Sequence, residues 1–314
     1  MLMANGRSPE YKLSVRLMIF MHERFIKQAM DGIMMQKTNF KFEVVVGDDF
    51  SADRTLEIIK SFKNTESIDI KILKREKGDE YWRKRQKLGR LYNFTNILEN
   101  CTGKYIALLD GDDYWTDPLK LQKQVDFLEA NKEYSLCYHR VNLEINGIVD
   151  TDENDITEKR YKNIPDKTKI GIDDLLKQGN FIHTPSVMFK KTDLKEIPFE
   201  TKYSTVGDYF LYIMLTADNN KFIKKLQDKM AVYRRGVGVY SSLKSIDMSY
   251  SMLQYKICIL SYLKEDEQKK ILLKQTIKHF NGIKKRELNK KRISDFTFKE
   301  LLTQLLKKIK SRVL

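Results

Sequence analysis

Apolar residues in this chain come as short unbroken runs, and between them lie longer stretches that are apolar on one side only. Residues 13–20 form a nearly continuous apolar run, the length of a strand buried on both faces. In 24–35, Phe25, Ile26, Ala29, Ile33 and Met34 recur at helical spacing. Residues 42–46 read as a second buried strand, and 68–73 as a third. Between them 55–62 places Leu56, Ile59 and Phe62 on one helical side, with Ser51 or Asp53 available as its cap. A helix over 92–98, a strand over 105–109, a helix carrying Leu121, Val125 and Leu128, and a strand over 135–141 continue the pattern. Thr116-Asp117-Pro118 has the form of a helix start. Alternating strands and helices predict an α/β fold: a mostly parallel, Rossmann-like sheet flanked by helices.

Two stretches break the alternation. Residues 74–90 are expected as a charged loop, with Tyr81-Trp82 inside it and Lys84, Arg85, Lys87 and Arg90 following. Residues 142–180 are polar and irregular, and are expected to line one side of a site. Beyond 242 the periodicity becomes helical, over 252–263 and again over 268–280. The chain therefore divides into an α/β domain over 1–242 and a helical, basic extension over 243–314. In that extension Phe298, Leu301, Leu302, Leu305, Leu306, Ile309 and Val313 share one face. Residues 284–314 carry 11 basic and 3 acidic residues, net +8. That is the form of an amphipathic helix that meets an anionic membrane surface or packs on protein.

Composition narrows the reading. The chain has 314 residues, of which 41% are hydrophobic, so it can fill a core. Its formal charge of +15 points to an anionic partner. The three cysteines, Cys101, Cys137 and Cys258, are far apart, which speaks against a disulfide framework or a zinc site. No run approaches the roughly 18 apolar residues of a spanning helix, and residues 1–12 lack the apolar centre of a signal peptide. The expected location is cytoplasmic, peripheral on the inner face of the membrane if the basic extension binds lipid.

The chemistry collects where strands end. The apolar run Tyr105-Ile-Ala-Leu-Leu109 leads into Asp110, Asp112 and Asp113 around a single glycine, followed by Tyr114-Trp115. In open α/β sheets the carboxyl ends of strands are where ligands bind. Three acids within four residues repel each other, and a hard divalent cation, Mg²⁺ or Mn²⁺, carrying phosphate would compensate them. Asp48 and Asp49 likewise follow a strand, placed to form a turn or to accept hydrogen bonds from a base or ribose. The basic residues up to Arg90 suit a diphosphate, and the helix over 92–98 carries Asn93 towards the site.

Several blocks occur in order: Phe25-Ile-Lys-Gln-Ala; Met35-Gln-Lys-Thr-Asn-Phe; Gly47-Asp-Asp-Phe-Ser-Ala-Asp-Arg-Thr55; the run from Gly103 to Pro118; and Lys120-Leu-Gln-Lys-Gln-Val-Asp-Phe-Leu128. Together they resemble the family 2 glycosyltransferases over residues 11–241. The resemblance implies a GT-A fold, a nucleotide-diphosphate sugar donor (UDP by default) and inversion at the anomeric centre. It implies that Asp48 and Asp49 hold the nucleoside, with Asp110 and Asp112, and Asp113 beside them, placing ribose and the metal. The segment Gly207-Asp208-Tyr209 matches the family's catalytic carboxylate, which makes Asp208 the candidate base. Phe181-Ile-His183-Thr184-Pro-Ser186 matches an acceptor-side strand and loop, with His183 read as structural; Thr184, and besides it Trp115 and Tyr209, are the acceptor-side candidates. Tyr233-Arg234-Arg235 matches a segment that closes over the diphosphate; the histidine that often follows is absent, leaving Arg234 or Arg235 to act there. Where relatives have Tyr-Asn the chain has Phe20-Met21, so nucleotide contacts at this point fall to Phe20, the backbone or His22. The acceptor implied is a glycan or lipid-linked saccharide of a bacterial surface polysaccharide; homodimerisation is left open.

Rival readings have weaker support. A nucleic-acid-binding protein would explain the charge, yet no recognised module is present and the acids occupy the expected cleft. A nucleotidyltransferase would carry a glycine-rich loop after the first strand, where Met21-His22-Glu23-Arg24 stands instead. A non-catalytic nucleotide-sugar binder would have little use for Asp208 alongside Asp110 and Asp112.

Overall fold

The computed structural model describes residues 11–150, 169–194, 204, 206–217, 220–238 and 245–288. The first half alternates strands and helices: β1 (Leu13–Ile19), α1 (Ile26–Met34), β2 (Phe42–Asp48), α2 (Thr55–Ser61), β3 (Ile68–Ile72), α3 (Glu80–Leu88), α4 (Leu91–Asn100) and β4 (Tyr105–Asp110). Then follow β5 (Tyr114–Trp115), α5 (Lys120–Ala130), β6 (Tyr134–Ile145), β7 (Ile148–Asp150), α6 (Ile172–Gln178), β8 (Met188–Lys190), α7 (Gly207–Ala217), β9 (Phe222–Arg235), α8 (Ser245–Tyr262) and α9 (Asp266–Leu288).

The strands lie in one sheet in the order β3-β2-β1-β4-β8-β6-β9-β5, with β7 paired to β6. The half from β3 to β4 is parallel, as buried runs joined by crossover helices require. β8 joins this half to β6 by antiparallel pairing on both sides. Register does the positioning. Met18 of β1 lies opposite Asp110 of β4, and Ile19 opposite Asp48 of β2. Asp48 and Asp110 therefore emerge at one edge of the sheet, on either side of the end of β1.

One apolar cluster covers each face of the sheet. The first joins β1 and β2 to α1, α2 and α5 through residues such as Leu17, Ile26, Val46 and Leu121. The second joins β4 and β8 to α4, α6 and α7, and also includes Tyr255 and Ile259 from α8, Leu263 just after it and Leu272 from α9. The rings of Tyr209 and Tyr255 meet edge to face with centroids 5.6 Å apart, and those of Phe210 and Tyr262 at 5.4 Å. The C-terminal helices thus share a core with the helix that carries Asp208. The apolar face expected over 298–313 lies outside the described residues.

Three local expectations are corrected. The charged loop over 74–90 contains α3. Asp79 caps it, accepting from Trp82 N at 2.6 Å, and Gly89 ends it with φ +77. The start at Thr116-Asp117-Pro118 lies slightly upstream of α5: Asp117 Oδ1 accepts from Leu119 N at 2.7 Å, and the helix begins at Lys120. The irregular stretch over 142–180 includes the end of β6, β7 and α6.

Candidate active site

The carboxyl edge of the parallel half carries three loops that hold one another. After β1, backbone N–H groups donate to side chains of the loop after β2: Met21 N to Ser51 Oγ (2.9 Å), His22 N to Thr55 Oγ1 (2.8 Å) and Glu23 N to Asp53 Oδ2 (3.1 Å). Met21 (φ +57) and Phe50 (φ +65) sit in the left-handed region, unusual for side chains of that bulk. The third loop is the acidic turn after β4. A Cβ on Gly111 would lie 2.6 Å from His22 Nδ1 and 2.7 Å from Ile19 Cγ2, so only glycine lets the turn come this close to the end of β1.

Asp48 is half-buried and accepts from Ser51 N at 3.1 Å and Ser51 Oγ at 2.5 Å. Burial raises its pKa against these hydrogen bonds. Asp49 is gripped by α3: Tyr81 Oη donates to Oδ1 at 3.0 Å, and Arg85 Nη2 reaches Oδ2 at 2.8 Å. Behind them Arg75 donates to the Asp48 carbonyl at 2.8 Å, to Asn93 Oδ1 at 2.7 Å and to Asn96 Oδ1 at 2.9 Å. The Arg75 guanidinium stacks 3.7 Å from the Tyr81 ring centroid. Asn93 is itself buried and donates to the Gly47 carbonyl, so it shapes the loop rather than facing the cleft.

The acids of the turn separate. Asp110 Oδ1 accepts from Arg16 Nη1 at 2.9 Å, and a quarter of its side chain stays exposed. Asp112 is 9% exposed, and its pKa is raised first by burial and then by Asp110, against the pull of His22. Asp113 turns inward: Oδ1 accepts from Arg234 N at 2.8 Å, and burial, with Asp112 beside it, holds its pKa well above the usual carboxylate range. The expectation that Asp113 shares a cation with the other two is corrected by this inward turn.

Arg234 is buried under the same turn. Its guanidinium donates to the Asp112 carbonyl at 2.7 Å, to Glu144 Oε1 at 2.9 Å and to Gln28 Oε1, and lies between the rings of Phe25 and Tyr114. Each of its side-chain nitrogens is thus engaged by protein, and Arg235 beside it is exposed.

Across the cleft, Asp208 stands in the first turn of α7. Its Oδ2 accepts from Asn180 Nδ2 at 3.1 Å and Thr184 Oγ1 at 3.3 Å. Its pKa is raised, first by burial, and Asp110 adds to the rise, so the two carboxylates feel one another. Tyr233 is near enough to feel both: burial raises the pKa of its phenol, and Asp113, Asp112, Asp208 and Asp110 add to the rise; its ring sits 4.5 Å from that of His183.

The profile of Glycosyl transferase family 2 matches residues 14–197, which takes in β1, the acidic turn and Thr184. The chain belongs to glycosyl transferase family 2. It is 30% identical over 224 residues to a Mycobacterium tuberculosis protein without assigned activity, covering 71% of this chain and 58% of that one, so it spans under three fifths of that curated relative. The Escherichia coli UDP-Glc:alpha-D-GlcNAc-diphosphoundecaprenol beta-1,3-glucosyltransferase WfaP is 27% identical over 190 residues, 60% of this chain and 63% of that protein. Residues 1–349 of Staphylococcus aureus TarS, solved with UDP-GlcNAc, superpose with a TM-score of 0.57 at 20% identity, over 86% of this chain and 73% of that one. That likeness establishes the fold as GT-A.

Within this family 2 frame the structure brings Asp48, Asp49, Asp110, Asp112 and His22 to one edge, with Phe20 exposed there and Asp208, bonded to Thr184, near enough to Asp110 for the two carboxylates to interact. Arg90 stands exposed directly before α4. Trp115 and Tyr209 are placed otherwise than expected. Trp115 is 1% exposed and its Nε1 donates to the Pro185 carbonyl; Tyr209 is 0% exposed and donates to the Leu175 carbonyl. Both are interior supports, which corrects their expected place on an acceptor surface. Sequence reasoning missed Arg16, Arg75 and Asn180. Only Arg16 carried a signal, as a lone cation in an apolar strand.

Among the described residues no group of three or more histidine, cysteine or carboxylate side chains is gathered as a metal cage. Magnesium-like ions need less, because one or two carboxylates suffice when phosphates complete the shell. Asp110 and Asp112, two carboxylates close enough for one to raise the pKa of the other, fit that requirement.

Proposed function

We propose that this family 2 member is an inverting glycosyltransferase that moves a sugar from a nucleoside diphosphate, UDP in the first instance, to a glycan or lipid-linked acceptor of a bacterial surface polysaccharide. The observation that carries the reading is the convergence of Asp48, Asp49, Asp110 and Asp112 at one sheet edge with Asp208 facing them. WfaP supports the donor and lipid-diphosphate acceptor, and TarS the uridine nucleotide.

Asp48 and Asp49 accept from the nucleoside, with Phe20 and His22 at its edge and Arg90 towards the diphosphate. Asp110 and Asp112 would hold Mg²⁺ or Mn²⁺, which when bound would neutralise charge on the leaving diphosphate. Asp208 acts as general base. Its Oδ2, oriented by Asn180 and Thr184, takes the proton of the acceptor hydroxyl as that oxygen bonds to the anomeric carbon. The bond from that carbon to the diphosphate breaks on the opposite face, and the configuration inverts. A raised pKa makes a carboxylate a stronger base, and the base must be ionised, so kcat/KM rises with pH through the pKa of Asp208.

Asp208→Asn tests this. Turnover is expected to fall about 10²- to 10⁴-fold, with UDP affinity retained by titration calorimetry. Near-normal turnover removes Asp208 as base. A thermal-shift screen of nucleotides with and without Mn²⁺ tests the donor, since a ligand that binds only the native state raises the midpoint; no shift with any of them overturns the reading.

A further inference from the structure

Arg16 lies in the central strand of the parallel half, between Val15 and Leu17, and is 0% exposed. Register puts it opposite Leu108 of β4, and Asp110 is two residues on, on the same face of its strand. Arg16 Nη1 therefore reaches Asp110 Oδ1, at 2.9 Å. Its Nε and Nη2 meet no hydrogen-bond partner among the described residues, and its guanidinium lies 4.8 Å from the Phe94 ring centroid.

This is an uneconomical way to stabilise a sheet. A buried guanidinium with two nitrogens unmet is disfavoured, and an apolar residue of similar volume commonly packs better in such a place. Asp110 has no need of a counter-ion for its own solvation, since it keeps contact with water. What the pair secures is direction. With Oδ1 fixed from beneath, the carboxylate plane cannot turn freely, and Oδ2 is left for a ligand in the cleft. The same guanidinium reaches the layer that carries the candidate base. Burial raises the pKa of the Tyr212 hydroxyl, one turn after Asp208 on α7; Asp208 and Asp110 add to the rise and Arg16 opposes it.

We infer that Arg16 is a positioning residue for the donor site: it fixes the rotamer of Asp110 from inside the sheet, so that one carboxylate oxygen stays aimed at the nucleotide-bound cation or the ribose. The inference rests on Asp110 belonging to the donor site as proposed above. It goes beyond that reading by assigning the site's geometry to a strand residue that touches no ligand.

The test is a double-mutant cycle read by titration calorimetry, with UDP and MnCl2 as the probe and thermal midpoints measured in parallel. Asp110→Asn is expected to weaken UDP binding. Arg16→Met is expected to weaken it by about 10- to 100-fold, the usual effect of removing an outer-shell partner, with a thermal midpoint equal to or above that of the parent. Arg16→Lys, which keeps the charge, should recover part of the affinity. The double variant should bind no worse than Asp110→Asn alone, because Arg16 acts only through Asp110. If Asp110→Asn weakens UDP but Arg16→Met does not, or if the two losses add in full, the assignment of Arg16 is overturned while the donor site stands. If Arg16→Met lowers the midpoint and leaves affinity unchanged, Arg16 is structural and the inference fails. Unchanged affinity in Asp110→Asn overturns the donor-site reading and the inference with it. Should Arg16→Met not fold, Arg16→Lys decides alone: wild-type UDP affinity at wild-type midpoint overturns the inference, and reduced affinity at that midpoint upholds it.

Discussion

Lys120 opens α5 with its side chain wholly inside the protein. Its ammonium nitrogen lies 3.9 Å from the Trp115 ring centroid, and no hydrogen-bond acceptor meets it among the described residues. Burial brings its pKa well below 10.5; the neighbouring Cys137 thiol opposes the fall only weakly. Next to it, burial and then Lys120 hold His139 well below 6.5. Both groups bind protons less readily folded than unfolded. Between its folded pKa and 10.5, Lys120 thus makes the native state less stable the lower the pH, and the loss disappears above 10.5. His139 acts in the same direction as pH falls through 6.5. Lys120→Met is expected to raise stability at pH 7 by about 1–3 kcal/mol, the cost of a buried polar group left without a hydrogen-bond partner. It should also flatten the rise in stability between pH 7 and 10. Urea midpoints across that range check it, and an unchanged slope would refute the lowered pKa of Lys120.

At the scale of elements, the acidic turn is held from two sides. β9 holds Asp113 through the Arg234 backbone, and α1 packs on β5 so closely that a Cβ on Gly32 would lie 2.9 Å from the backbone N and O of Trp115. In an exposed helix interior, glycine to alanine stabilises by roughly 1 kcal/mol. Here Gly32→Ala is expected to destabilise by about 1–3 kcal/mol, as overpacking does, because backbone atoms of a strand cannot swing aside. A midpoint above that of the parent would show that α1 can shift. These same elements mark where sequence reading succeeded and failed. β1, β2 and β4 were legible because a strand buried on both faces is apolar throughout, as in Val44-Val45-Val46. β9 was not, since Lys224, Lys225, Gln227, Asp228 and Lys229 leave no alternation, and its pairing to β6 carries register shifts. α3 was hidden by its charge, although Asp79 three residues before Trp82 and Gly89 at its end were signals of a helix. The inward turn of Asp113 and the burial of Tyr209 depend on contacts with Arg234 and Leu175, distant in sequence, which no local pattern encodes.

For the whole molecule, α8 and α9 close the face of the sheet behind α7, and none of the described helices is long and apolar enough to cross a membrane. We propose that residues 284–314, net +8, bring the chain to an anionic membrane surface where a lipid-linked acceptor would lie. Each cation near an anionic surface contributes about 1 kcal/mol. The full chain is expected to sediment with vesicles containing phosphatidylserine, less with rising salt, and not with neutral vesicles. Changing Lys307, Lys308, Lys310 and Arg312 together to glutamine should release it while leaving UDP binding intact. Equal sedimentation with both vesicle types would exclude the electrostatic attachment.

Met21 and Phe50 hold left-handed backbone at the ends of β1 and β2. For residues with a Cβ that conformation costs roughly 1–2 kcal/mol, and glycine would relieve it. Glycine would also remove what these side chains hold: Met21 Sδ accepts from Ala52 N at 3.2 Å, and the Phe50 ring lies 5.9 Å from that of Tyr81. Glycine or asparagine at either position is therefore expected to change stability by less than the relief of backbone strain alone would give.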